Sequence, residues 1–98
     1  AYMTGGVGLE ERAAMNKEAK NFNLCLEFAV SAGNYLSGVE VVIKDATGKV
    51  MLEEKSAGPL FFASVPDGKY MIQATARKQT IQVEIEAPAA KRIILAWK

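Results

Sequence analysis

Gly58-Pro-Leu-Phe-Phe-Ala-Ser-Val-Pro-Asp-Gly-Lys-Tyr-Met-Ile72 reads as a strand, a tight corner and a second strand. Leu60 and Phe62 alternate onto one face, Val65 closes the run, and Pro66 ends it because it has no N–H to give a ladder. Asp67-Gly68 supplies the turn: the Asp side chain can bond the local backbone, and Gly tolerates positive φ. Tyr70, Ile72 and Ala74 then restart an alternation of period 2. A Tyr just after a Gly corner suits a half-buried place, with its ring in the core and its hydroxyl at the rim. Pro66, Asp67, Gly68 and Tyr70 are therefore structural residues. The stretch decides a fold and carries no chemistry that names a reaction.

Working outward, the same period recurs. Leu24, Leu26, Phe28 and Val30 alternate with Cys25, Glu27 and Ala29. Ser31-Ala-Gly-Asn34 breaks that strand. Val39, Val41 and Ile43 face one way, and Glu40, Val42 and Lys44 the other. Asp45-Ala-Thr-Gly48 is a hairpin loop, and Val50 and Leu52 carry the return strand, with Met51 and Glu53 opposite. After residue 76, Arg77-Lys78 marks a reversal without Gly. Ile81, Val83 and Ile85 alternate with Gln82 and Glu84. Ala87-Pro-Ala-Ala90 is a further break, and Lys91 to Lys98 is the last strand, with Ile93, Leu95 and Trp97 on one face. The pattern predicts about seven short strands with frequent turn signals, an antiparallel β-sandwich over residues 23–98.

Ahead of the strands, Leu9 to Phe22 reads as one α-helix, with Glu10 and Glu11 at its positive end and Lys17 and Lys20 at the other. Met15, Ala19 and Phe22 form one narrow apolar stripe, expected to pack on the strands with Val42 or Ile94 as partners. Residues 1–8 read as a flexible arm, because three glycines stand among Gly5-Gly-Val-Gly8. Gly6-Val7-Gly8 lacks both a preceding strand and a following Gly-Lys-Ser, so it is no phosphate loop. The 98 residues make a single domain.

Composition excludes more than it selects. A net charge of +1 with no basic stripe argues against nucleic acid. Histidine is absent, which removes the commonest general base and metal ligand, and Cys25 is the only cysteine. No apolar run approaches the ~18 residues of a membrane span. A chain beginning Ala1-Tyr2-Met3 reads as a trimmed or mature form, in which a removed signal peptide leaves no trace.

Gly38-Val-Glu-Val-Val-Ile-Lys-Asp45, Gly48, and then Gly58-x-Leu-x-Phe-x-x-Val-Pro-Asp-Gly-x-Tyr70 resemble the carboxypeptidase regulatory-like domain. The match covers residues 38 to about 76, with Leu60 at the family's first Phe and Val65 at its Leu. The resemblance implies a transthyretin-like (prealbumin-like, Ig-like) sandwich. Gly5-Gly-Val-Gly8 ahead of an acidic-start helix is similar to small exported bacterial proteins that carry this domain alone. That implies a periplasmic or secreted location and no assigned activity. One transthyretin relative hydrolyses 5-hydroxyisourate with histidines, an arginine and a Tyr-Arg-Gly-Ser end; this chain has no histidine and ends Ile94-Leu-Ala-Trp-Lys98.

Other chemistry is thin. Glu53 and Glu54 point to opposite faces of a strand, and Glu10 and Glu11 serve the helix dipole. Met3, Met15, Met51 and Met71 are scattered over separate elements, which favours gap-filling over a copper site, so no metal or cofactor is expected. Cys25 has no basic neighbour in sequence to lower its pKa. Val42, Met51, Phe61, Ala63, Ile94 and Ala96 lie opposite their strands' main apolar faces, and of these Val42, Met51, Phe61 and Ile94 are the candidate interaction surface. The expected function is a non-enzymatic binding or accessory module of the bacterial envelope with another envelope protein as partner. The alternative is a small-molecule or carbohydrate carrier using the loops. Sugar binding wants exposed aromatics, so the exposure of Tyr2, Tyr35, Phe61 and Trp97 separates the two.

Overall fold

The computed structural model describes residues 2–30, 36–88 and 92–97. The breaks expected at Ser31-Ala-Gly-Asn34 and at Ala89-Ala90, together with Tyr35, Lys91 and Lys98, lie outside them. The described chain is mainly β: β1 (Tyr2–Gly5), α1 (Leu9–Glu18), a 3-10 turn (Ala19–Asn21), β2 (Leu24–Val30), β3 (Glu40–Asp45), β4 (Val50–Lys55), β5 (Leu60–Ala63), β6 (Gly68–Ala76), β7 (Gln79–Ala87) and β8 (Ile93–Trp97). The strands form two four-stranded sheets, ordered β1-β5-β2-β8 and β4-β3-β6-β7. Every pairing is antiparallel except β2 with β8, which runs parallel from Leu26↔Ile93 to Val30↔Trp97.

The eighth strand is β1, where a flexible arm was expected. Its glycines serve close packing. The Gly5 carbonyl lies where a Cβ on Gly58 would stand, and the chain turns at Gly6 against Leu60. Thr4 completes the attachment: its Oγ1 donates to Leu60 O (2.8 Å) and accepts from Ala57 N (3.0 Å). Glu11, three residues into the helix cap, reaches back to accept from Gly6 N and from Val7 N (3.1 Å). The helix itself is shorter than 9–22, since its last turn tightens to 3-10 before Phe22 becomes extended.

One hydrophobic cluster takes side chains from both sheets. Leu24, Leu26, Phe28, Phe61, Ala63, Leu95 and Trp97 come from one sheet, and Val41, Ile43, Tyr70, Ile72 and Ala74 from the other. Phe28 and Trp97 meet edge to face, with centroids 6.0 Å apart. A second cluster lies on the far side of the first sheet, where Met15 of α1 is buried with Leu60 and Phe62. All four residues of β5 are therefore buried. This corrects the expected facing: Phe61 and Ala63 look into the shared core, while Leu60 and Phe62 lie under the helix. A short run apolar at every position carries no parity signal to say which face is which.

The corner after β5 is closed by Tyr70. Tyr70 is buried and its hydroxyl donates to Pro66 O at 2.6 Å. Gly68 has φ 153°. Asn23 fixes the preceding residue from outside, with its Oδ1 accepting from Val65 N at 2.9 Å and its amide donating to Val65 O. Arg77 and Lys78 both take positive φ (53° and 63°), the requirement of a two-residue type I′ hairpin turn.

Candidate functional site

Three surface features carry chemistry. The first is where α1 meets the sheet. Met15 buries against Leu60 and Phe62, with Met3, Ala19, Phe22 and Cys25 around them; the Phe22 and Phe62 rings lie 6.0 Å apart. Beside this apolar contact sits an ionic one. Glu27 Oε1 of β2 accepts from Arg12 of α1 (3.3 Å) and from Arg92, just before β8 (3.1 Å). Arg92 also donates to Asn16 and lies over the Phe62 ring, 5.3 Å from its centroid. Both partners are remote from Glu27 in sequence, so the strand pattern alone gives no sign of them. The helix thus packs on β1, β5 and β2, and neither Val42 nor Ile94 is its partner: Val42 belongs to the other sheet, and Ile94 remains 63% exposed on β8.

Cys25 lies half-buried at this contact. Burial pushes its thiol up, and the nearby Arg92 charge pulls it partly back down. The thiol is held protonated, the poorly nucleophilic form.

The second feature is the set of candidate interaction residues. Phe61 is fully buried and is withdrawn from any surface. Val42 is half-buried on the outer face of the second sheet, between Glu53 and Gln73. Met51 is 40% exposed on the edge strand β4, where the pairing with β3 shifts register. Ile94 stands on the outer face of β8 opposite Glu27. The four do not converge: Val42 and Met51 share a sheet, Ile94 occupies the other, and Phe61 lies between the sheets.

The third is an open groove of about 440 Å³ at one end of β6 and β7, lined by Asp45, Ala46, Lys69, Tyr70, Met71, Glu84, Ile85 and Glu86. The Asp45 carboxylate is committed to its own loop: Oδ1 accepts from Thr47 N (2.9 Å), Thr47 Oγ1 (2.6 Å) and Lys49 N (3.0 Å). These bonds, the Thr47 side chain first, hold its pKa below the usual Asp value. Glu84, Glu86 and Lys69 supply the other charges of the lining, with Lys69 directly opposite Glu86.

The aromatics divide sharply by exposure. Phe61, Tyr70 and Trp97 are buried, and the Trp97 indole donates to Gln79 O at 3.0 Å. Tyr2 is 41% exposed, but its ring stacks on Phe61 at 5.5 Å. Desolvation, and after it the charge of the neighbouring Glu54 carboxylate, raise the Tyr2 phenol above its ordinary pKa. Among the described residues no three His, Cys, Asp or Glu side chains gather as a metal site, and no helix is long and apolar enough to cross a membrane. No protein-family model and no curated protein matches the chain.

Proposed function

We propose that the chain is a non-enzymatic β-sandwich module of the carboxypeptidase regulatory-like, transthyretin-like kind, working in the bacterial envelope by docking another protein. One observation carries this reading: beside Val7 and Leu9 at the start of α1, aliphatic side chains stand in water on the edge strands, Val50 and Met51 on β4 and Ile94 on β8, whereas the exposed ring of Tyr2 is already stacked on Phe61. Flat strand surfaces suit a protein partner, whereas sugars stack on exposed rings. The lack of histidine and the protonated Cys25 thiol support a role without catalysis. A photo-crosslinking residue at position 94, tested in envelope fractions, should join one protein reproducibly, while the same residue at Thr47 should not. Crosslinking that is equal at both positions, or fractionation of the chain away from the envelope, sinks the reading.

The second reading, a small-molecule or carbohydrate carrier, draws on the groove beside Glu84, Glu86 and Lys69. Its acidic lining favours a small cationic ligand over a neutral sugar. Titration with polyamines and with a glycan array separates these: saturable binding lost in Glu84→Gln supports the groove, and silence in both removes it.

A further inference from the structure

The strands at the sheet edges are guarded unequally. β1 is four residues long and turns directly into the helix segment. β4 carries a register shift and the exposed charges Glu53, Glu54 and Lys55. β8 is five residues long. β7 runs for nine residues, pairs with β6 in unbroken register, and holds no Pro, Gly or Lys. Shortness, bulges, Pro and charges, Lys above all, are the usual devices by which an edge avoids pairing with another chain, and of these β7 carries only the exposed Glu84 and Glu86. Among the described residues no strand pairs with its other side.

Burial shows that side to be under-covered. Tyr70, Ile72 and Ala74 of β6 are buried, yet their partners Ile85, Val83 and Ile81 are only half-buried, although they pack on the same core. A further strand beside β7 would complete their cover.

We propose that this edge pairs with the same edge of a second copy of the chain, antiparallel about a two-fold axis at Val83. The sequence of β7 is self-complementary in that register. Ile81 faces Ile85 of the second copy and Val83 faces its own counterpart, so the apolar row continues across the axis. On the outer face Thr80 meets Glu86 and Gln82 meets Glu84, so no glutamate lies directly opposite another. Centring the pair on Glu84 would set that carboxylate against itself, and centring it on Gln82 would put Ala87 opposite a turn residue. The two sheets then join as one continuous sheet, the isologous arrangement of a two-fold dimer. The proposal is independent of docking around Ile94, which lies in the other sheet.

Sedimentation of the full chain from micromolar to millimolar concentration tests it. The wild type should show a reversible monomer–dimer equilibrium. Gln82 is exposed, so its substitution changes the partner rather than the core. Gln82→Glu places two like-charge pairs across the axis and should weaken the dimer roughly 5- to 10-fold; Gln82→Lys should tighten it by a similar factor. Thr80→Lys, facing Glu86, should also tighten it. Melting curves at low concentration should be alike for all four proteins, which separates association from folding. A chain that stays monomeric throughout, or a dimer indifferent to these substitutions, overturns the proposal. A dimer weakened by both Gln82 variants overturns the register. Uptake of a β-strand peptide of unrelated sequence by a monomeric wild type would give the edge to a different occupant.

Discussion

Replacing Gly58 by Ala tests whether β1 is a built part of the fold. A Cβ at position 58 would stand 2.3 Å from Gly5 O and 2.5 Å from Gly5 C, both backbone atoms. Ordinary contact begins near 3.4 Å, so the two strands must separate by roughly 1 Å. Position 58 has little freedom to yield. Pro59 restricts the residue before it to extended geometry, and Pro59 O is held by Phe28 N of β2 at 2.8 Å. The movement therefore falls on β1. Thr4 would lose its bonds to Leu60 O and Ala57 N, about 1 kcal/mol each. Met3 would also loosen over Phe62, so the total loss is about 2–4 kcal/mol. Urea unfolding measures that loss, and amide exchange at Met3, Thr4 and Gly5 locates it. Gly8→Ser is the companion change: position 8 has open space around it and an extended helix-cap conformation with no side-chain cap, so a gain of about 0.5 kcal/mol is expected. The reasoning is refuted if Gly58→Ala unfolds at the wild-type midpoint with those three amides still protected.

Three further outcomes are expected. Arg77→Asn with Lys78→Gly relieves two non-glycine residues at positive φ and should raise stability by about 1 kcal/mol; no change in the unfolding midpoint would show that the turn is not strained. Phe22→Ala should cost about 2–3 kcal/mol, since the ring is half-buried against Phe62, and an unchanged melting temperature would mean that the helix is not held there. Asp45 has a folded pKa below its ordinary 3.8, so its stabilising effect is fully present above that pH and fades as pH falls through the lowered value. Asp45→Asn should lack this acid limb in pH-dependent unfolding, and identical slopes for the two proteins would count against the carboxylate's role.

The strands were legible because period-2 alternation is a local signal. Residues 24–30, 39–44, 70–76 and 81–85 each bury one face, and a single face is all that alternation encodes. The corner was equally legible, since Pro66, Gly68 and Tyr70 act within a few residues of one another. What failed was decided by cover from remote parts of the chain. β5 is buried on both sides, so its four residues gave no sign that Phe61 faces the shared core and Phe62 the helix.

β1 failed for a related reason. Glycine in Gly5-Gly-Val-Gly8 signals conformational freedom locally, but a Cβ on Gly5 would meet the Glu11 and Met15 side chains, and one on Gly6 would meet Leu60, more than fifty residues away. The parallel pairing of β2 with β8 is likewise silent in sequence, because strand direction follows from the path of the connecting chain. The ionic contact of Arg12, Glu27 and Arg92 joins three separate parts of the chain, and no local pattern relates their charges. The sequence by itself determined strands β2 to β8 and, where residues alternate, which face of each is apolar. The tertiary structure alone decided that β1 is a strand, which way the all-apolar β5 faces, what covers each face and, among the described residues, which edge is left open.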